Sequence, residues 1–249
     1  WEYMEHIAAC GVGYLRTADE RYLRLFRREL HYFKSHDVYA PNPEAPSQIH
    51  GRIYVLLILW DLLQDHPLFT PDDRREIDAM FLYLERSGEG VVQISDRALT
   101  HAVRFNHDTR AALDAFFVGR YFDRRHHLPE AREWLDTAAK LFASQLTSAK
   151  PCEDSWGHQW TASMHNTLNY AMAAGQHDYF TSEAFRQSAD RALLAHGTDG
   201  PRVYLANCAV VTGDSSYLSL ERDGASFVRS AARMRLSKSL DSPDPASYE

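Results

Sequence analysis

The sequence predicts an all-α fold, an incomplete (α/α)5-6 toroid built from repeated helical hairpins, on three observations. A similar junction recurs along the chain, apolar residues fall at helical spacing between those junctions, and no run of period-two alternation supports a strand.

The junctions are Thr17-Ala18-Asp19-Glu20-Arg21-Tyr22-Leu23, Asp65-His66-Pro67-Leu68-Phe69, Gly119-Arg120-Tyr121-Phe122, Gly175-Gln176-His177-Asp178-Tyr179-Phe180 and Thr212-Gly213-Asp214-Ser215-Ser216-Tyr217-Leu218. Each reads as a helical-hairpin turn, in which a small or polar residue ends one helix and an aromatic plugs the start of the next. Separations of roughly 40 to 60 residues hold two helices of ordinary length plus loops.

Spacing supports the helices themselves. Ile49, Ile53, Leu56, Leu57, Trp60 and Leu63 follow helical steps on a segment that is apolar nearly all round. Ile77, Met80, Phe81 and Leu84 do so on the next, which carries Asp72, Asp73, Arg74, Arg75, Glu76 and Asp78 on its other faces. Thr70-Pro71 supplies its cap and N1 proline. Inner and outer helices thus alternate. Further outer helices are expected over Glu20 to Phe33, Pro129 to Leu146, Ser182 to His196 and Ser216 to Met234. Further inner ones are expected over Tyr3 to Leu15, Asp108 to Tyr121, Ala162 to Ala174 and Val203 to Val211.

Such a series either stacks as a superhelical solenoid or curls into a ring of inner helices wrapped by outer ones. The ring is favoured because the unusual polar residues recur at the N-terminal ends of inner helices, where a toroid opens its cavity and helix dipoles favour anions. Residues 1–236 are read as this domain and 237–249, with Pro243, Pro245 and several Ser and Asp residues, as a linker or frayed C-terminal tail.

Composition bounds the function classes. The 249 residues, 45% hydrophobic and 24% charged, suffice for one large globular domain. Net charge is -7, which argues against a nucleic-acid binder that relies on a basic surface. The strongest apolar run, Ile53 to Leu63, is too short to span a bilayer, so no membrane span is expected. Cys10, Cys152 and Cys208 are far apart and odd in number, which offers neither a disulfide framework nor a CxxC metal site and leaves a single long-range disulfide open. The chain begins at Trp1 without an initiator methionine or signal peptide and reads as a processed or trimmed piece. Walker, GxGxxG and GxSxG motifs are absent, and no cofactor is expected.

Two junctions carry chemistry. Arg104-Phe105-Asn106-His107-Asp108 opens one apolar helix, and Cys152-Glu153-Asp154-Ser155-Trp156-Gly157-His158-Gln159-Trp160 opens another. Asn and Asp at a helix start also serve as plain caps, and a Tyr such as Tyr170 on an apolar helix is commonly a core residue. Trp156, His158, Gln159 and Trp160 within five positions exceed what turn chemistry asks for. A metal reading from His158 and His165, seven apart, has no HExxH or paired CxxC behind it, and none is assigned. His126-His127, after Arg124-Arg125, reads as a polar connector whose side chains point apart into solvent.

On the recurring hairpins, Asn106-His107 at an inner helix start, and Glu153-Asp154-Ser155-Trp156 followed by the Tyr170 helix, the chain resembles the α/α-toroid domains of the heparinase and alginate lyase superfamily. The resemblance implies a secreted or periplasmic polysaccharide lyase acting by β-elimination on an acidic, uronate-containing polysaccharide. It also implies a β-sandwich domain following this one. Asn106 and His107 would neutralise the uronate carboxylate and Tyr170 would carry the proton. Arg104 and Arg110 would hold further carboxylates, while Glu153, Asp154, Trp156, His158, Gln159 and Trp160 would bind the sugar chain. Where family members often place a Tyr directly before a His, this chain has Ser163-Met164-His165, and Tyr170 lies about two helical turns further on. Tyr179, Tyr204 and Tyr54 are the substitutes. Two rival readings are a toroidal glycoside hydrolase pairing Asp108 with Glu153 or Asp154, and a non-catalytic glycan-binding toroid.

Overall fold

The computed structural model describes residues 2–38, 53–87, 90–101, 103, 105–149, 163–194 and 199–218. Their regular structure is entirely helical, with no strand among the described residues. In chain order the helices are α1 (Glu2–Thr17), α2 (Glu20–Phe33), α3 (Ile53–Leu63), α4 (Pro71–Arg86), α5 (Asn106–His126), α6 (Glu130–Leu146), α7 (His165–Ala173), α8 (Glu183–Leu194) and α9 (Asp199–Thr212). A π-helical turn, Lys34–Val38, extends α2, and short 3-10 turns stand at Val91–Gln93 and His177–Thr181.

Local chemistry explains the boundaries. Asp19 opens α2 by accepting from the Arg21 backbone N–H at 2.9 Å, and Leu23, Phe26, Leu30 and Phe33 form its buried stripe. At α4, Thr70 Oγ1 accepts from the Asp73 N–H at 3.1 Å while Asp73 Oδ2 accepts from the Thr70 N–H at 2.8 Å, a reciprocal cap ahead of Pro71. α7 ends on Gly175 at φ 69, where the Gln176 N–H reaches Ala171 O at 2.8 Å and the Gly175 N–H reaches Met172 O at 3.3 Å. That pattern needs a left-handed residue at its turn, which glycine adopts at least cost.

The expected junction at Gly119-Arg120-Tyr121-Phe122 is not a turn; it lies inside α5, which runs on to His126. Gly119 serves packing instead. A Cβ there would stand 2.8 Å from Ala131 O and 3.0 Å from Leu135 Cγ on α6, so the two helices approach too closely for a side chain. The turn falls at His127, in the left-handed region at φ 51, followed by Leu128 and Pro129. Arg124, Arg125 and His126 therefore form the last turn of α5 rather than a connector, and all three are exposed. Arg124 and Arg125 both pair with Asp61 on α3.

The chain divides into two compact units, Trp1–Leu99 with Arg110–Leu141, and Thr100–Thr109 with Phe142–Glu249. The core of the first gathers Phe26, Leu30, Trp60, Ile77, Phe81 and Tyr121, with Phe69 edge-on to Trp60 at 5.0 Å. That of the second gathers Leu168, Tyr179, Phe185, Tyr204, Leu205 and Cys208. Each such large apolar side chain contributes about 1.5–3 kcal/mol when taken out of water.

Candidate functional site

Polar residues are buried in the second unit where two helices start. Asn106, Asp108 and Thr109 in the first turn of α5, and Ser163, His165, Asn166 and Thr167 at the entry to α7, are all at most 8% exposed. These seven are most of the nine buried polar or charged side chains among the described residues of the second unit, the others being Gln145 and Ser188. Buried polar groups cost free energy unless bonded, and here one bond runs between the two helices and others within each start. Asn166 Nδ2 donates to Thr109 Oγ1 at 3.2 Å, and Thr109 Oγ1 donates onward to Asn106 O at 2.9 Å. Thr167 Oγ1 donates to Ser163 O at 3.0 Å, within the first turn of its own helix.

The structure places the predicted residues as follows. Asn106 is the first residue of α5 and is 1% exposed, whereas His107, turned about 100° from it around the helix, is exposed. Arg110 is buried on α5 and belongs to the first unit. Tyr170 is 5% exposed on α7, stacked on Phe142 with ring centres 4.2 Å apart, and burial raises its phenol above the usual tyrosine range. Arg104, Glu153, Asp154, Trp156, His158, Gln159 and Trp160 lie outside the described residues.

Of the substitute tyrosines, Tyr54 stacks on Phe117 in the first unit. Tyr179 and Tyr204 belong to the core of the second. Burial, with Tyr179 and Cys208 adjoining, pushes the Tyr204 phenol well up. His165 meets the Tyr204 ring edge-on, centres 5.8 Å apart. Cys208 and Cys10 are free buried thiols, and burial pushes that of Cys208 up to about 12. Among the described residues no group of three His, Cys, Asp or Glu side chains converges to hold a metal ion, and no helix is long and apolar enough to cross a membrane.

Asn166 and Thr109 are the residues that sequence reasoning passed over. Their signal was present: Ser163, His165, Asn166 and Thr167 set four polar residues within five positions ahead of an apolar helix, as Asn106, His107, Asp108 and Thr109 do for α5. No protein-family model, curated protein or solved structure matches the chain.

Proposed function

We propose that the chain is a polysaccharide lyase domain that cleaves a uronate-containing acidic polysaccharide by β-elimination, on an α/α toroid, in a secreted or periplasmic setting. One contact supports this most: the Asn166–Thr109 hydrogen bond, which ties the N-terminal turns of α5 and α7 together. Helix starts present unbonded N–H groups and positive dipole ends, and two at one place favour an anion.

The chemistry follows from charge. A proton alpha to a carboxylate becomes acidic only when the developing enolate-like charge meets well-placed donors. His107, exposed at the second position of α5, and the Asn106 amide neutralise the uronate carboxylate. Tyr170 carries the proton, and burial that keeps its phenol protonated suits donation to the leaving glycosidic oxygen. His165, the first residue of α7, takes the C5 proton as the C4–O bond breaks and Tyr170 gives its own proton to the leaving oxygen.

The test incubates the intact protein with polymers of glucuronate, galacturonate and mannuronate-guluronate. Elimination leaves a conjugated unsaturated uronate that absorbs in the ultraviolet. New reducing ends without that absorbance would overturn the lyase reading in favour of hydrolysis by Asp108 with Glu153 or Asp154. Retention of an intact polymer would overturn it in favour of a glycan-binding toroid.

A further inference from the structure

The first unit holds a cavity of about 650 Å³, a volume suited to a small organic ligand, between α4, the end of α3 and the last turn of α5. Arg74, Arg75, Asp78, Arg125 and His126 face it, and Leu82, Phe122 and Leu128 give it an apolar wall. None of these residues belongs to the unit that carries Asn106 and Asn166.

Its charges do not balance within the wall. Arg125 is committed to Asp61 and Asp65 at 3.2 and 3.0 Å. Arg74 donates to the carbonyls of Gln64 and Phe69 at 3.1 and 2.8 Å and pairs with no carboxylate among the described residues. Arg75 meets only Asp72, in a pair with both side chains at least 70% exposed, which contributes little and is readily exchanged. Two guanidinium groups therefore remain for an incoming anion, and their planar forks match carboxylate or phosphate oxygens.

The single carboxylate orients the imidazole. Asp78 Oδ1 accepts from Trp60 Nε1 and from the Tyr121 hydroxyl, each at 2.7 Å, and Asp78 Oδ2 lies 3.1 Å from His126 Nε2. Nε2 is engaged by this anchored carboxylate, so Nδ1 is the nitrogen that the ring offers to a ligand in the cavity.

We propose that the cavity binds a small organic oxyanion: a carboxylate or phosphate group held by Arg74 and Arg75, on a molecule whose apolar part covers Leu82, Phe122 and Leu128 and whose hydroxyl donates to His126. Calorimetric titration of the intact protein with phenyl phosphate, benzoate and the uncharged control benzyl alcohol tests this. At least one anion should bind about tenfold or more tightly than the alcohol, and the stronger of the two identifies the anionic group. Arg75→Ala, at an exposed position that leaves the fold intact, should weaken that anion by about tenfold. His126→Gln should leave both simple anions unchanged, because neither carries the hydroxyl, and should weaken 4-hydroxybenzoate, whose hydroxyl cannot reach its own carboxylate, selectively. Failure of both anions to bind, binding no tighter than the alcohol, or an affinity untouched by Arg75→Ala would overturn the site. Equal 4-hydroxybenzoate affinity in His126→Gln would overturn the role given to His126.

Discussion

Asn166 on α7 donates its side-chain amide to the hydroxyl of Thr109 on α5 at 3.2 Å, across 57 residues of sequence and among side chains at most 8% exposed. The contact joins two helix starts that are otherwise independent in the chain. Asn166→Ala and Thr109→Val are each expected to cost about 1–3 kcal/mol in urea unfolding, since each strands a buried partner. In the double mutant the costs should fall short of their sum by at least about 0.5 kcal/mol, whereas additivity would show that the bond does not hold the helices together.

Gly119 supplies a test of the α5–α6 approach. On intrinsic helix propensity Gly119→Ala would stabilise α5 by about 1 kcal/mol. The added Cβ would instead stand 2.8 Å from Ala131 O, a backbone atom with little freedom to move. The expected net effect is a loss of about 1–3 kcal/mol and a lower Tm; a higher Tm would contradict the close approach.

Two carboxyl groups give opposite pH responses. Burial works to raise the Asp73 carboxyl, but bonds from Arg27 at 2.9 and 3.0 Å, from the Thr70 N–H and hydroxyl at 2.8 Å, and from His31 at 2.6 Å hold it well below the usual carboxylate range. A lowered folded value stabilises above about pH 4 and is lost as pH falls further. Asp73→Asn should therefore be less stable by about 2 kcal/mol at neutral pH, with a flatter acid limb than the native protein.

Glu85 is fully buried, accepts from the Val91 N–H at 3.0 Å through Oε1, and makes no bond through Oε2 among the described residues. Burial and the neighbouring charge of Asp114 push its carboxyl well above the usual range. The unfolded chain releases this proton first, so stability falls as pH rises above about 4.3. Glu85→Gln should gain on the native protein as pH climbs from 5 to about 8; a constant gap between the two would contradict a buried neutral Glu85.

The parts of the fold legible in the sequence were those written in local chemistry. Asp19 and Thr70-Pro71 mark the starts of α2 and α4 because capping uses residues within one turn. Gly119 misled for the same reason: a glycine signals a helix end locally, and only the position of Ala131 on the neighbouring helix reveals it as a packing residue. His126 is exposed as read, but its pairing with Asp78 was hidden because Asp78 lies on another helix, and Asn166 drew no attention because Thr109 is far off in sequence. Periodicity carries burial but not the identity of a polar side chain's partner. Among the expected site residues, Asn106 and His107 were legible as a polar pair at a helix start, but not that one would be buried and the other exposed.

Cys208 is expected to be chemically silent. Its thiol, pushed up to about 12 by burial beside Tyr204, presents almost no thiolate at pH 8. Peptide mapping after iodoacetamide treatment should find Cys208 unmodified in the native protein and alkylated in urea. Native alkylation at the unfolded rate would contradict its place in the core of the second unit.

The most direct test of the proposed chemistry compares the native protein with His107→Ala and Asn106→Ala on one uronate polymer, following ultraviolet absorbance of the unsaturated product. Loss of either carboxylate-neutralising group should lower kcat/KM by about 10²–10³ with far-ultraviolet circular dichroism unchanged. Turnover equal to the native protein in both variants would contradict a site built on the start of α5.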